Sequence, residues 1–437
     1  MEFVLKNKNL LAIFAGFIGS LILCVALSGV VYAKDEERLQ KRFESLDKFN
    51  KTLQIVEQYY VDDQNVSDLI DKALSGLLSN LDAHSSFLDE KDFEDMKIQT
   101  SGEFGGLGIT VGMKDGALSV VAPMEGTPAD RAGLKSGDVI LKINEEATLG
   151  MNLNDAVDKM RGKAGTKITL TIFRKGVDKP FEVRLIREII RVESVYAKKI
   201  EDEDILYLRV TNFDKNVVEK AKKELQKHSD NRGIILDLRN NPGGLLNQAV
   251  GLTNLFVNEG IIVSQKGRSE NQEYRANPHN KISSSSLVVL VNGGSASASE
   301  IVSGALQDLK RAIIVGENTF GKGSVQQIIP INKTEALRLT VARYYLPSGR
   351  TIQAVGVKPD IEVLPGKVDA KEGGFSIKES DLKQHLEGEL EKLEKKKDKE
   401  AKKAEKDLIT SQQINEDIQL KSAIDTIKIL NIKGITQ

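Results

Sequence analysis

Val291-Asn292-Gly293-Gly294-Ser295-Ala296-Ser297-Ala298-Ser299-Glu300 joins two segments of different periodicity. Before it, Ser286-Leu287-Val288-Val289-Leu290-Val291 is a short apolar run of strand type. After it, Ile301, Val302, Ala305, Leu306 and Leu309 recur at helical spacing. The three serines are therefore expected at a strand-to-helix turn. Paired glycines let such a turn be tight, and the first N–H groups of a helix lack internal partners, so they can receive an oxyanion. A plainer reading fits the same letters, because Ser297-Ala298-Ser299-Glu300 is also an S-x-x-E capping box that merely starts a helix. Taken alone, the stretch favours the cap.

Lys322 changes the balance. A serine nucleophile needs a base, and the chain has only 4 histidines, His84, His228, His279 and His385. Each reads as a surface or structural residue. The turn Phe320-Gly321-Lys322-Gly323 offers a lysine instead, and a lysine serves as base when burial lowers its pKa towards neutrality. The Lys322 amine is accordingly expected to be buried and away from carboxylates.

These residues resemble the bacterial C-terminal processing peptidases, also called tail-specific proteases, which are serine endopeptidases with a Ser-Lys dyad. The resemblance rests on the S-A-S-A-S-E run, on F-G-K-G, and on the glutamine four positions beyond the lysine. It implies that Ser297 is the nucleophile, Lys322 the general base and Gln326 the residue that orients the lysine. It also implies a crotonase-like α/β protease core of βαβ sheet layers, with no metal and no cofactor.

The remaining chain is consistent with that family. Its 437 residues exceed one core, and a net charge of −1 without an aromatic-interleaved basic patch argues against a nucleic-acid partner. The single cysteine, Cys24, excludes intrachain disulfides. Lys6 and Lys8 precede an uncharged, mostly apolar run from Leu10 to Ala33, which reads as an export signal that is either cleaved or kept as an inner-membrane anchor. The protein is thus expected in the cell envelope, on the periplasmic or extracytoplasmic side. From Asp35 to about Thr100 two helical stripes follow, one through Phe43, Leu46 and Phe49, the other through Leu69, Leu74 and Leu78.

Between Gly102 and Glu188 short strands and one helix look like a PDZ domain. Its groove would bind a peptide as an added strand, the Gly106-Leu107-Gly108-Ile109 backbone taking the terminal carboxylate and an apolar pocket the last side chain. Leu107, Gly108, Ile109 and Val157 are the candidate contacts, and ordinary core is the competing role for Leu107, Ile109 and Val157. Strands and helices then alternate from Ile205 onward, the pattern of a largely parallel sheet. The loop Asp237 to Gly244 sits between a buried strand and a helix start. By the resemblance it supplies the oxyanion hole, with the Gly243 N–H, or that of Gly244, joining the Ala298 N–H.

A phosphate-binding loop is the chief competing motif, since Gly316 to Lys322 fits G-x-x-x-x-G-K. Gly323 stands where a magnesium-binding Ser or Thr belongs, and the residues after it do not continue as a helix. From Gly366 the composition shifts to a Lys/Glu block over Glu389 to Lys406, followed by an apolar stripe from Asp417 to Ile424 that could dock on the core or on a second subunit.

The expected organisation is a signal segment over 1–33, a helical region over 34–98, a PDZ domain over 99–188, the protease core over 189–365 and a charged helical region over 366–437. The expected activity is endoproteolysis near apolar C-termini, with the PDZ domain recruiting the tail or gating access. A homodimer or larger assembly and an activating or adaptor protein are the further expected partners. The competing function is a non-catalytic PDZ adaptor of the cell envelope.

Overall fold

The computed structural model describes residues 36–114, 116–124, 126–268, 271–367 and 408–432. The run Leu10 to Ala33 and the Lys/Glu block Glu389 to Lys406 lie outside them. No helix among the described residues is long and apolar enough to cross a membrane. Two compact units divide between Phe87 and Leu88. In the first, a helix over residues 36–59 leaves Leu39, Phe43, Leu46 and Phe49 exposed along its length. The helix Val66–Ser79 follows, capped by the Asn65 side chain on the Ser67 N–H.

In the second unit the helix Glu90–Ser101 starts at Asp89, whose carboxylate accepts the Asp92 N–H, and stops at the left-handed Gly102. The strands Ile109–Lys114, Ala117–Pro123, Val139–Ile143, Lys167–Phe173 and Phe181–Ile186 then form one antiparallel sheet in that spatial order. Leu118, Ile140, Leu170 and Ile172 on one face of it pack with Ala156 and Met160 of the helix Leu153–Met160. The chain enters and leaves this PDZ sheet through a single two-stranded ribbon, Glu103–Gly106 against Glu188–Arg191.

The largest sheet runs in the order Ile361–Glu362, Ile313–Gly316, Ser286–Val291, Gly233–Asp237, Ile205–Val210, Val195–Ile200, Leu408–Ile409. Every pairing is parallel except Val195–Ile200 against Ile205–Val210. The two central strands are buried at every position, as parallel strands covered on both faces must be. Alternation sorts their side chains. Leu206, Leu208, Ile234, Leu236, Leu287, Val289 and Val291 join a core with the helices Val217–Lys227, Leu246–Asn254 and Ala298–Asp308. Tyr207, Ile235, Val288 and Leu290 face the other way, onto Leu420, Ala423, Ile424 and Ile427 of the helix Ile418–Ile432. The apolar stripe near the C-terminus thus docks on this chain's own core. Its approach is close, since a Cβ on Gly233 would meet Ile427 Cγ2 at 2.2 Å.

A second, antiparallel sheet contains Ile261–Gly267, Asn271–Arg275, Ser324–Pro330 and Ala336–Tyr345. Its Ile262, Val263, Val325 and Tyr344 enter the same core as the helix Ala298–Asp308. That helix, with residues Ala298 to Leu306 all buried, is covered on more than one side. The serine turn comes from the parallel sheet and Lys322 from the start of the antiparallel one, so the candidate site lies where the two sheets meet.

Candidate active site

The turn after Val291 separates the three serines by role. Ser295 and Ser299 are fully buried, and both are spent on backbone: Ser295 Oγ donates to Leu238 O at 2.8 Å, and Ser299 Oγ to Asn241 O at 2.9 Å. They staple the serine turn to the Asp237–Gly244 loop. Ser297 is half-exposed and lines a cavity of about 710 Å3 together with Lys322, Gln326, Gly243 and Gly244. Its backbone is left-handed, with φ 54 and ψ −109, a conformation that costs a non-glycine residue about 1–3 kcal/mol and must be held by its surroundings. A serine on a strained strand-to-helix turn is the arrangement that exposes a nucleophilic hydroxyl above a sheet.

Glu300 holds that strain. Its carboxylate is buried and accepts four hydrogen bonds: Ser297 N–H at 2.8 Å, Lys322 N–H at 2.9 Å, Gly321 N–H at 2.7 Å and Thr319 Oγ1 at 2.5 Å. The bond to Ser297 N–H is the backward arm of the capping box. The same carboxylate fixes the 319–322 turn, so the cap and the site are one structure. Sequence reading credited Glu300 with the cap alone. The signal for more was the spacing itself, because a buried helix start leaves an acidic residue no solvent and obliges it to find donors elsewhere.

The Lys322 side chain is half-buried, and its pKa is lowered, by burial first and by the nearby Arg338 second, with Glu300 opposing. Among the described residues its amine takes part in no ion pair. The expectation of an amine remote from carboxylates is not met in the simple sense, because Glu300 is close enough to act on it. All that carboxylate's described bonds, however, go to backbone N–H groups and to Thr319. Lys322 is followed by the strand Ser324–Pro330, not by a helix, so the G-x-x-x-x-G-K run is no phosphate loop. Gln326 lies in that strand at a bulge and donates through Nε2 to Ser324 Oγ at 2.8 Å and to Thr340 Oγ1 at 3.3 Å.

The Ala298 N–H donates to no described residue. The glycine loop presses against it: a Cβ on Gly243 would lie 3.0 Å from Ala298 N and 3.0 Å from Ser297 Cβ, which only glycine tolerates. Gly243 is thus the glycine beside Ser297, but its own N–H donates to Asn241 Oδ1 at 2.9 Å. The Gly244 N–H donates to no described residue. The choice between the two glycines accordingly turns on the Asn241 side chain, a partner that sequence reading did not single out.

Between the start of the strand Ile109–Lys114 and the helix Leu153–Met160, Leu107, Gly108, Ile109 and Val157 line one pocket of about 120 Å3, with Phe104, Met160 and Arg161 among its other walls. Leu107 also belongs to the domain core. Leu107 and Gly108 N–H groups donate to no described residue.

The family of peptidase S41 matches residues 204–363, and the PDZ domain family matches residues 119–174. A carboxy-terminal-processing protease of Bartonella bacilliformis is 43% identical over 385 residues, covering 86% of this chain and 88% of that protein. The carboxy-terminal processing protease CtpA of Bacillus subtilis is 35% identical over 325 residues, covering 72% of this chain and 68% of that protein. Among solved structures, the photosystem II D1 C-terminal processing protease aligns with a TM-score of 0.43 at 29% identity, over 72% of this chain and 92% of its own. An enzyme, not a non-catalytic adaptor, is what these matches describe, and the chain belongs to peptidase family S41, as a carboxy-terminal processing serine protease that carries a PDZ domain.

Proposed function

We propose that the protease works through a Ser297–Lys322 dyad on polypeptides with apolar C-termini, with the PDZ domain recruiting the tail. The observation that carries this reading is the division of labour among the serines: Ser295 and Ser299 are consumed by the loop, while Ser297 opens with Lys322 into one cavity. Lys322, depressed by burial, takes the Ser297 proton as Oγ attacks the scissile carbonyl, and then returns it to the leaving amine. The Ala298 N–H and one N–H of Gly243-Gly244 hold the oxyanion, Gly243 doing so once Asn241 Oδ1 lets go of it. Gln326, on the strand that follows Lys322, orients the lysine. Water then hydrolyses the acyl-enzyme with Lys322 again as base.

The apolar pocket of Leu107, Ile109 and Val157 takes the last side chain, and the Leu107 and Gly108 N–H groups take the carboxylate. Gating is supported by ion pairs between the PDZ helix region and the helix Glu90–Ser101, Arg161 to Asp95 at 2.8 Å and Lys91 to Asp158 at 2.6 Å, because Met96, Gln99 and Thr100 of that helix also line the catalytic cavity. The exposed apolar side chains of helix 36–59 suit a homodimer or larger assembly, and the apolar run Leu10 to Ala33 suits export to the cell envelope, with retention in the inner membrane if it is not cleaved.

The deciding experiment follows degradation of a loosely folded protein with an apolar C-terminus by the parent, Ser297→Ala and Lys322→Ala forms. Cleavage by the parent and by neither variant is expected. Cleavage that survives Ser297→Ala would overturn the nucleophile.

A further inference from the structure

The Asp237–Gly244 loop is held on the serine side by Ser295, by Ala296 N–H and Ser299 Oγ on Asn241 O, and by the reciprocal pair Asn240 N–H to Asn292 Oδ1 at 2.8 Å and Asn292 Nδ2 to Asn240 Oδ1 at 2.9 Å. A second set of bonds leads away from that turn. Arg239, partly buried just before the left-handed Asn240, grips Asp237 of its own strand end through Nε at 3.0 Å and Nη2 at 2.7 Å. Its remaining reach goes to the C-terminal segment: Nη1 donates to Asp417 Oδ1 at 2.9 Å and to Gln419 Oε1 at 3.0 Å, and Nη2 lies 2.8 Å from Asp417 Oδ2.

Three facts separate this link from a simple fold anchor. The helix Ile418–Ile432 already docks through the buried Leu420, Ala423, Ile424 and Ile427 and through Ser286 Oγ on Asn431 Oδ1 at 2.7 Å. The Asp237 carboxylate that holds Arg239 also accepts the Tyr207 hydroxyl at 2.6 Å and lies 3.9 Å from Arg209 Nη1, so the guanidinium is anchored at the end of its own strand before Asp417 reaches it. And the Asp417 carboxylate is itself fixed, accepting the Leu420 N–H at 3.0 Å as the start of the terminal helix, while Gln419 Nε2 is fixed on Val363 O at 2.7 Å. A planar guanidinium held by two carboxylates on different chain segments is defined in orientation as well as position. What that orientation controls is the backbone leading to Asn241, Pro242 and Gly243.

We propose that Asp417, assisted by Gln419, is a positioning residue for catalysis: through Arg239 the C-terminal helix sets the glycine loop that offers its N–H to the oxyanion at Ser297. The active-site framework then includes a segment far along the chain that touches neither substrate nor dyad. The inference rests on the Ser297–Lys322 reading given above.

The test uses the full chain and a short peptide without an apolar tail, so that PDZ recruitment does not enter. Asp417→Asn keeps a good helix cap and removes the charge, and is expected to lower kcat about tenfold, less than the 10²–10³-fold loss of a whole oxyanion donor, with KM within about twofold. Its melting temperature should fall by no more than about a few degrees, the cost of neutralising one partly exposed pair. Asp417→Ala should lose the same kcat and also melt earlier. Arg239→Gln combined with Asp417→Asn should be no slower than the slower single variant, because both break one connection. A parental kcat in Asp417→Asn, additive losses in the double variant, or a kcat loss that merely tracks the unfolded fraction each overturns the proposal. Ser297→Ala in the same assay keeps the two readings apart: residual cleavage there condemns the dyad, whereas an inert Ser297→Ala beside a parental Asp417→Asn condemns this inference alone.

Discussion

The catalytic cavity and the PDZ groove are built on opposite principles. Around Ser297 the polar groups are buried and cross-linked, with Glu300 accepting four bonds and Ser295, Ser299 and Asn241 stitching two loops together. The groove is a small apolar pocket on a sheet joined to the rest by one ribbon and by ion pairs open to solvent. Chemistry needs groups fixed before the substrate arrives, and a buried, cross-linked network supplies that rigidity. Recruitment needs only a sheet edge, a pocket and freedom to move.

The sharpest break of this comparison is Ser297→Ala, expected to reduce cleavage at least about 10⁴-fold while tail-peptide binding, read by fluorescence anisotropy, stays at the parental value. If binding falls as well, the two regions are not separable. Glu300→Gln comes next. It puts an amide where four donors converge, so cleavage should fall about 10²–10³-fold and stability by about 3–5 kcal/mol, checked by kcat and by denaturant unfolding. A variant that unfolds normally yet cleaves at parental rate would mean that Glu300 is a helix cap and nothing more. On the other side of the comparison, Val157→Asp should weaken tail binding about 10–100-fold and raise KM for a tailed substrate, leaving kcat on a tailless peptide unchanged.

A smaller effect tests the base. On the proposed role of Lys322 as base, which requires it neutral, the rate on a tailless peptide should climb as pH rises through its lowered pKa, and Arg338→Gln, by removing the second cause of that lowering, should move the inflection upward. The sign for stability is the reverse of a favourable pair. The unfolded chain keeps the Lys322 proton up to about 10.5, so this group opposes folding fully below its folded pKa, and the opposition fades as pH rises from there to the unfolded value. Lys322→Met should therefore melt later than the parent at neutral pH. The least effect is expected from Asp95→Asn, since its pair with Arg161 is partly exposed and such pairs contribute about 0–1 kcal/mol, with a few-fold change in basal cleavage marking looser PDZ seating.

Much of the site was legible in the chain. The change from strand to helical periodicity around Ser297, the glycines at 243 and 244, and the position of Lys322 after Phe320-Gly321 needed no coordinates, because each is a local requirement of backbone geometry or of a base with a tunable pKa. The apolar stripe at 417–424 was also visible, but its destination was not: a stripe states that a face must be covered and is silent on what covers it.

Tertiary structure alone decided the rest. It gave Glu300 a second employment at the lysine turn, committed the Gly243 N–H to Asn241, and tied Arg239 to Asp417 across 178 positions of sequence. The sequence by itself determined which residues could do chemistry, since functional groups and local turns are written in neighbouring letters. Which of three serines would face the cavity depended on where the buried donors and acceptors of distant loops found one another, because a buried polar group must be satisfied by whatever the fold brings beside it.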